Sequence, residues 1–489
     1  MTATEVPAPT FTSLDPRSGD IVGTHPVYDD AAVEAAVARG VEAARWWSGI
    51  GFDGRAKRLL EWKKALVRSI DWLATTIVDE TGKPFDDARL ELALAVEHLD
   101  WAARHAEKTL GSRRVRPGLL MANQAATLSY APLGVVGVIG PWNYPVFTPM
   151  GSISYALAAG NAVVFKPSEL TPGVAVQLAD SLAEIVEGHP VLQAVTGFAE
   201  TGAALCRAPG VAKIAFTGST ATAKRVMATC AETLTPVVVE CGGKDPLLVD
   251  ADANLAAAAD AAVWGAMSNA GQTCVGVERV YVHEKVADAF TARVVAKAGA
   301  LRADAFGPMT LPEQVDVVRA HLDDALARGG RAVVGGPGSV RPPYVDPVVL
   351  VDVPEDSRAV TEETFGPLMV INRVRDMDEA VERANGTGYG LGATVFAKKR
   401  GAEIATALRC GMVSVNSVIA FAGIPALPFG GVGASGFGRI HGEDGLREFT
   451  SPRAVARQRF ALPIAVTSFR RTARGMAALL GIVRLRHGR

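Results

Sequence analysis

One short stretch of the sequence contains a candidate nucleophile. Cys274 follows a run of mostly short side chains at residues 267–273 and precedes a strand-like run at residues 279–282. A cysteine thiolate attacks carbonyl carbon readily and leaves readily afterwards. Most free cysteines are small buried hydrophobes, so core packing is the alternative interpretation. Three further stretches favour chemistry, and they are PWNYP at 141–145, ECGGK at 240–244 and EETFGP at 362–367.

The composition limits the class of protein. The chain has 489 residues, of which 49% are hydrophobic and 21% charged, so it can form two or three domains of about 150 residues with large cores. Five cysteines at irregular spacing, without a CxxC pair or a histidine pattern, predict reduced thiols and no metal site. Residues 1–9 lack the pattern of a secretory signal, and no apolar run approaches the roughly 20 residues of a membrane span. We therefore expect a cytoplasmic protein.

The positive charge is concentrated at the C-terminus. Residues 451–489 contain nine arginines and no acidic residue, so removing them from the net charge of −1 leaves residues 1–450 at −10. An acidic body argues against a nucleic-acid partner. Within the tail, 456–489, one apolar stripe is predicted, and it consists of Phe469, Ala473, Met476, Leu480 and Val483. This pattern is typical of a helix lying on an anionic membrane surface. A helix docked on the body or on a partner subunit, or a disordered tail, are the alternatives.

Alternating strands and helices must position these residues. Helical patterns occupy residues 30–47 and 55–109, with a break at 82–84. Strand patterns follow at 135–139, 162–165, 191–195, 213–216, 236–239, 348–351, 369–371, 394–396 and 413–416. The intervening helical patterns lie at 146–159, 173–186, 221–233, 255–267, 286–299, 311–329 and 378–384. This alternation predicts parallel α/β sheets with right-handed crossovers, and ligands at the carboxyl ends of the strands.

Seven motifs, taken in order, resemble the aldehyde dehydrogenase superfamily over about residues 20–455. They are PWN, GNAVVFKPSE, FTGS, ExGGK, GQTC, EETFGP and PFGGVGxSGxG. The resemblance implies two parallel-sheet α/β domains, one for the cofactor and one for catalysis, with a small β oligomerisation arm. The predicted boundaries are 1–110 and 131–240 for the dinucleotide-binding domain, 241–416 for the catalytic domain, and 111–130 and 417–455 for oligomerisation or bridging.

The resemblance also implies catalytic roles. Cys274 is expected to add to an aldehyde as a thiohemiacetal, with Asn143 stabilising the oxyanion. After hydride leaves for a nicotinamide, Glu240 is expected to activate the water that hydrolyses the thioester. A carboxylate in an apolar, glycine-lined site has a raised pKa, which suits a general base. Retention of Glu240 argues against a CoA-acylating enzyme, and the presence of both Cys274 and Glu240 argues against a catalytically silent binding protein.

The expected cofactor is NAD, with NADP also accepted. The predicted dinucleotide-binding domain contains no GxGxxG fingerprint. The resemblance assigns cofactor binding to Trp142, Lys166, Ser168, Glu169, Gly218, Ser219, Glu363 and Phe365. Gly218-Ser219 before a helix suits an anion, or is an ordinary N-cap. Glu169 can accept from a ribose 2′-hydroxyl and would repel a 2′-phosphate, which favours NAD.

The substrate pocket carries little charge in the sequence. The resemblance places Tyr144, Thr148, Val275 and Phe429 there, and residues 267–277 and 417–431 contain no charged side chain. A semialdehyde with a distal carboxylate would require an arginine. We therefore predict an apolar aliphatic or aromatic aldehyde, with a succinate-semialdehyde-type substrate as the alternative. A homodimer or homotetramer is expected. Cys241 replaces a leucine common in relatives, and it either packs or is open to oxidation.

Overall fold

The computed structural model describes residues 9–462 and 467–488, which form two compact units. The larger unit contains residues up to 109 and 132–450, and the smaller unit contains 110–131 and the chain from 451 onwards. Residues 417–450 lie in the larger unit, whereas 111–130 lie in the smaller one. The division of that unit into dinucleotide-binding and catalytic domains remains a prediction.

The predicted helices form, with small changes at their ends. In chain order the helices are α1 (Asp30–Gly49), α2 (Gly51–Arg68), α3 (Ile70–Thr81), α4 (Phe85–Leu110), α5 (Phe147–Ala159), α6 (Pro172–Ala183), α7 (Ala199–Arg207), α8 (Thr220–Ala231), α9 (Leu255–Met267), α10 (Glu284–Ala298), α11 (Pro312–Ala327), α12 (Arg358–Thr361), α13 (Met377–Ala384), α14 (Gly401–Ala407), α15 (Gly442–Glu448) and α16 (Ala473–His487). Asp29 caps α1, because its Oδ1 accepts from Ala32 N at 2.8 Å. The break at 82–84 is confirmed, since Gly82 ends α3 at a φ of 73°. A second break, at Ser69, was not predicted.

Each strand that the sequence predicted is present, and the structure adds others. In chain order they are β1 (Thr10–Leu14), β2 (Ile21–Pro26), β3 (Arg113–Val115), β4 (Gln124–Pro132), β5 (Val135–Ile139), β6 (Ala162–Lys166), β7 (Leu192–Ala194), β8 (Val211–Gly218), β9 (Val237–Cys241), β10 (Asp245–Val249), β11 (Val277–His283), β12 (Arg331–Val334), β13 (Val340–Arg341), β14 (Tyr344–Val345), β15 (Val348–Val351), β16 (Leu368–Val374), β17 (Gly392–Phe396), β18 (Met412–Val415), β19 (Gly436–Phe437) and β20 (Thr450–Gln458). The sequence did not predict several short elements, namely the hairpin β1–β2, the strands β3, β10, β12, β13, β14, β19 and β20, and the helices α7, α12, α14 and α15, because their apolar patterns are brief.

Two parallel sheets form the framework of the larger unit. One has the order β19-β9-β8-β5-β6-β7, in which only the short β19 runs antiparallel to its neighbour. The other has the order β12-β15-β16-β11-β10-β17-β18, with β12 antiparallel. The α/β class predicted from the alternation is therefore confirmed.

The chain crosses from one sheet to the other at the candidate site. Strand β9 ends at Cys241, and β10 of the second sheet begins four residues later at Asp245. Glu240 thus lies at the carboxyl end of one sheet, whereas Cys274 lies three residues before β11, at the amino end of the other. The expectation that ligand-binding residues follow strands holds for Glu240 and not for Cys274.

The smaller unit contains a three-stranded sheet and the C-terminal helix. The sheet has the order β20-β4-β3, and Arg459 N donates to Asn123 O at 2.8 Å where it ends. Helix α16 begins at Ala473, so Phe469 of the predicted apolar stripe lies before the helix instead of in it. No residue of α16 is buried. In the described part of the chain, no helix combines the length and hydropathy needed to cross a membrane.

Candidate active site

The loop that carries Cys274 has an unusual backbone. After α9, Asn269, Ala270 and Gly271 have φ values of 52°, 54° and 70°, which are uncommon for residues with a side chain. A Cβ on Gly271 would lie 2.2 Å from the carbonyl carbon of Gly366, so only glycine fits there. The strained turn is therefore held against the EETFGP segment, and strain of this kind is typical of functional sites.

Side-chain amides fix the same loop from inside. The Gln272 amide donates to Asn269 O at 2.8 Å and to Pro308 O at 3.2 Å, and its Oε1 accepts from Thr310 N at 2.8 Å. Asn143 Nδ2 donates to Gln272 O at 2.9 Å, which brings the predicted oxyanion residue onto the nucleophile loop. Asn269 Nδ2 donates a hydrogen bond to Asn143 O at 3.0 Å. These buried bonds set the position of both predicted residues.

A buried ion pair holds the segment that contains Asn143. Lys83 Nζ lies 2.6 Å from Glu91 Oε2 and donates to Asn143 O at 2.8 Å. The other Glu91 oxygen accepts from Val146 N at 2.8 Å and Phe147 N at 3.1 Å, at the start of α5. Both charged side chains are at most 1% exposed. The pair therefore ties α4 to both ends of the PWNYPVF segment.

The predicted base is buried beside the predicted nucleophile. Glu240 is 4% exposed, and neither of its carboxylate oxygens has a hydrogen-bond partner in the described structure. Burial raises the pKa of Glu240 to about 8, although the nearby Cys274 thiol and Thr217 hydroxyl act to lower it. Burial and the charges of Glu240, Asp245 and Glu363 raise the pKa of Cys274 well above its ordinary value. The thiol is therefore neutral at rest, with a carboxylate next to it.

A second buried ion pair connects three segments around this site. Lys244, just after the Glu240 strand, is paired with Glu278 on β11, and its Nζ also donates to Thr364 Oγ1 at 3.0 Å. Glu278 accepts from the backbone N–H groups of Thr364 at 2.8 Å and Phe365 at 2.9 Å. The base, the nucleophile and the EETFGP segment are thus fixed relative to one another.

The predicted cofactor residues fall into two groups. Trp142 and Phe365 meet edge to face, with ring centroids 5.6 Å apart, and Phe365 has a strained φ of 48°. Glu363 Oε1 accepts from Gly243 N at 3.0 Å, and burial raises the pKa of Glu363 to about 8. Trp142, Glu363 and Phe365 therefore belong to the same segments that position Cys274 and Glu240.

The second group lies at the carboxyl ends of β6 and β8. Lys166 Nζ is 3.3 Å from Glu169 Oε2, and Ser168 Oγ accepts from Leu170 N at 3.2 Å. Gly218 ends β8, and Ser219 caps α8 by accepting from Thr222 N at 3.2 Å. The ordinary N-cap is therefore present, and the adjoining N-terminus of α8 also suits an anion.

One cavity of about 260 Å³ leads to Cys274. All four residues predicted for the substrate pocket line it, namely Tyr144, Thr148, Val275 and Phe429. Its charged lining residues are Lys83, Glu91 and Asp87, and the first two neutralise each other. Asn143 and Glu240 are not part of its wall. The cavity is therefore an apolar route to the Cys274 sulfur. The predicted oxyanion donor, Asn143, and the predicted base, Glu240, lie outside its lining.

The sequence alone did not identify several residues of the site. Lys83, Glu91, Asn269, Gln272 and Lys244 all bond to the catalytic segments, but we assigned them no role. Asn269 and Gln272 lie close to Cys274 in the sequence. Two amide side chains among small residues are the sequence signal that could have identified them. Cys241, by contrast, is 1% exposed within a hydrophobic cluster, and burial raises its pKa to about 12, so packing is its evident role.

Comparison with known proteins gives a consistent result. The model of the aldehyde dehydrogenase family matches residues 4–455. The 4,4'-diapolycopene aldehyde oxidase of a Methylomonas species is 37% identical over 93% of this chain and 87% of its own length. A putative NADP(+) succinate-semialdehyde dehydrogenase of Mycolicibacterium smegmatis is 36% identical, covering 90% and 87%. The structure of PnpE, from Pseudomonas sp. WBC-3, in complex with nicotinamide adenine dinucleotide superposes with a TM-score of 0.87 at 32% identity, covering 93% and 95%.

Breaking the Lys83–Glu91 pair should destabilise the protein strongly. Lys83→Met leaves the Glu91 carboxylate buried without a cation, which should lower the free energy of unfolding by roughly 3–5 kcal/mol. Urea denaturation measures this change. The matched control is Arg89→Met on α4, the helix that carries Glu91, where the exposed pair with Asp71 contributes little to stability. Equal shifts for the two variants would contradict the prediction.

Proposed function

The chain belongs to the aldehyde dehydrogenase family, and we propose that it oxidises an apolar aldehyde, using Cys274 as the nucleophile and Glu240 as the base. The family activity is the NAD(P)-dependent oxidation of an aldehyde to a carboxylic acid. One observation carries the assignment of residues: Glu240 is a buried carboxylate without a hydrogen-bond partner in the described structure, beside the only thiol in the cavity wall. A buried carboxylate in that state is costly unless it accepts a proton.

The proposed chemistry follows from this arrangement. Glu240 takes the proton of the Cys274 thiol, and the sulfur adds to the aldehyde carbon to give a thiohemiacetal. The Asn143 amide, fixed by Lys83 and Gln272, donates to the resulting oxyanion. Glu240 releases the thiol proton to solvent, and loss of hydride from the adduct leaves a thioester. Glu240 then removes a proton from the water that hydrolyses the thioester. This second proton passes to the departing sulfur as the acid is released, which restores the thiol.

The residues present fit a nicotinamide dinucleotide. When bound, this cofactor accepts the hydride. The N-terminus of α8 suits its pyrophosphate, and Lys166 with Glu169 suits the adenine ribose. The half-buried Glu363 and the strained Phe365 suit the second ribose and the nicotinamide ring. Burial lowers the pKa of Lys166, and its only partner within the described residues is Glu169.

The cavity supports an uncharged substrate more than a carboxylated one. Relatives named as succinate-semialdehyde dehydrogenases support the alternative. However, Lys83 is the only cation in this cavity's wall, and Glu91 already neutralises it. Asp87 adds a negative charge there. A substrate carboxylate would find no free cation and one repelling carboxylate, which favours an apolar aldehyde.

Substitution of the proposed base should separate the two half-reactions. Glu240→Gln keeps the side-chain shape without a basic oxygen. It should release a burst of about one NADH per active site and then turn over more slowly by roughly 10²–10⁴. Cys274→Ala should give neither burst nor turnover. Rapid mixing with an aldehyde, followed by NADH absorbance, measures both. Proton transfer from Cys274 to Glu240 implies that the burst itself is also slowed.

The pH dependence of the steady rate provides a further test of Glu240 as the base. Because the pKa of Glu240 is about 8, more of it is ionised as the pH rises, so the steady rate should increase through about pH 8. The residual rate of Glu240→Gln should lack this rise. A variant with an unchanged steady rate would remove Glu240 from the mechanism, and turnover by Cys274→Ala would overturn the proposal.

Cofactor choice is the next prediction. Since Glu169 lies beside Lys166 where a 2′-phosphate would need space and positive charge, kcat/KM should be higher with NAD than with NADP. Glu169→Gln should reduce this preference by about tenfold, equivalent to about 1.4 kcal/mol. The exposed Glu184→Gln, near the end of α6, is the matched control. A wild-type preference for NADP would contradict the prediction.

The smaller unit has two proposed roles. The sheet β20-β4-β3 supports an oligomerisation arm of a homodimer or homotetramer, because β3 and most of β20 are exposed. The tail supports contact between a cytoplasmic protein and a membrane surface, because no residue of α16 is buried and Leu480 of the predicted apolar stripe is exposed beside the arginines of this helix.

Liposomes test the role of the tail. The protein should sediment with anionic liposomes and not with neutral ones, because arginines bind anionic headgroups. A chain truncated after Phe460 should remain in the supernatant. Added salt should release the full-length protein. Equal sedimentation of the truncated chain, or none by the full chain, would exclude the membrane role.

A further inference from the structure

The cavity that leads to Cys274 is lined by buried residues in its inner part and by solvent-exposed residues in its outer part. The inner part is formed by buried side chains such as Val275, Phe429 and Ile440. Other lining residues are largely open to solvent, since Leu90 on α4 is 48% exposed and Trp264 on α9 is 46% exposed. The apolar lining therefore continues beyond the enclosed space and reaches the surface.

We define the apolar collar as Leu90, Leu94, Trp264, Val418 and Ile419, all of which line this cavity. The collar joins two helices and one loop, so it surrounds the opening on several sides. An exposed tryptophan and leucine at a cavity mouth cost free energy in water unless something covers them. Because the collar is continuous with the cavity that reaches Cys274, the substrate itself is the occupant that fits it best.

The loop of the collar is held in a fixed shape. Ile419 has a φ of 55°, which is a strained conformation for a β-branched residue. Two buried side chains hold the segment that follows: His98 Nε2 lies 3.0 Å from Ala422 O, and the Tyr155 hydroxyl donates to Pro425 O at 2.9 Å. A strained, pinned segment at a cavity mouth is pre-organised, so it can bind without first being ordered.

We infer that the collar is a second subsite, which binds the hydrocarbon tail of a long aldehyde while its carbonyl lies at Cys274. This inference rests on the proposed function and extends it to a substrate class: aldehydes with an extended, uncharged hydrocarbon chain longer than the enclosed cavity. Asp87, which also lines the cavity, disfavours a negatively charged tail. The tail's methylene groups cover the exposed faces of Leu90 and Trp264.

A series of straight-chain aldehydes from four to twelve carbons tests the inference. Each methylene buried on the collar should raise kcat/KM roughly fourfold, which corresponds to about 0.8 kcal/mol, until the collar is covered. The ratio of kcat/KM for dodecanal to that for butanal should therefore be well above one. A ratio near or below one would overturn the inference, while oxidation of butanal would still support the proposed function.

Two substitutions in the collar test whether the preference for long aldehydes arises there. Leu90→Ser and Trp264→Ala should each lower the dodecanal-to-butanal ratio by about tenfold. Both side chains are about half exposed, so the fold should tolerate either change, and each variant is an independent test. The matched control is Trp72→Ala on α3, which is 57% exposed and lies outside the cavity, and it should leave the ratio unchanged.

Three further outcomes would contradict either the proposed function or the subsite. Failure to oxidise any aldehyde would remove the proposed function itself. An unchanged ratio in both collar variants would overturn the subsite. If the ratio stayed constant while Leu90→Ser changed the oligomeric state in analytical ultracentrifugation, the collar would be an interface between copies of the chain, and the inference would again be wrong.

Discussion

The geometry of the site depends on the buried ion pair between Lys244 and Glu278. Lys244 follows the strand that contains Glu240, and Glu278 follows the loop that contains Cys274. Two charges in a dry interior are stable only when both are paired and hydrogen-bonded. Thr364 and Phe365 complete those bonds through a side-chain hydroxyl and two backbone N–H groups. The cost of separating any of these partners keeps base, nucleophile and cofactor segment together.

This arrangement has an electrostatic consequence for the nucleophile. Glu240, Asp245 and Glu363 all lie close enough to Cys274 to raise its pKa, and burial acts in the same direction. A neutral thiol is a poor nucleophile and resists oxidation. Burial also raises the pKa of Glu240, to about 8, which makes that carboxylate a stronger base toward the thiol proton than an exposed one. Both pKa values are elevated, so the thiol is protected at rest and has a base beside it.

The cavity and the positioning network impose different requirements on the chain. The network around Asn143 uses charged and amide side chains that hydrogen-bond to one another and to backbone carbonyls, because an unpaired polar group there would be costly. The cavity uses apolar walls, and its one cation is already neutralised by Glu91. The two meet at Cys274, which faces the cavity while its loop is held by the network. Apolar wall residues can therefore change without altering the hydrogen bonds of the network, whereas Lys83 and Glu91 belong to both.

The sequence by itself determined the alternation of strands and helices, the parallel sheets and the identity of Cys274, Glu240 and Asn143 as a set worth testing. Those features are local, since each depends on the periodicity of apolar residues or on a short motif. The tertiary structure alone decided that Lys83 reaches Asn143 across 60 positions and that Lys244 reaches Thr364 across 120. It also decided that Leu90 and Trp264, on separate helices, line one cavity mouth. No sequence pattern encodes such pairs, because contacts between distant segments arise only when the sheets and helices pack together.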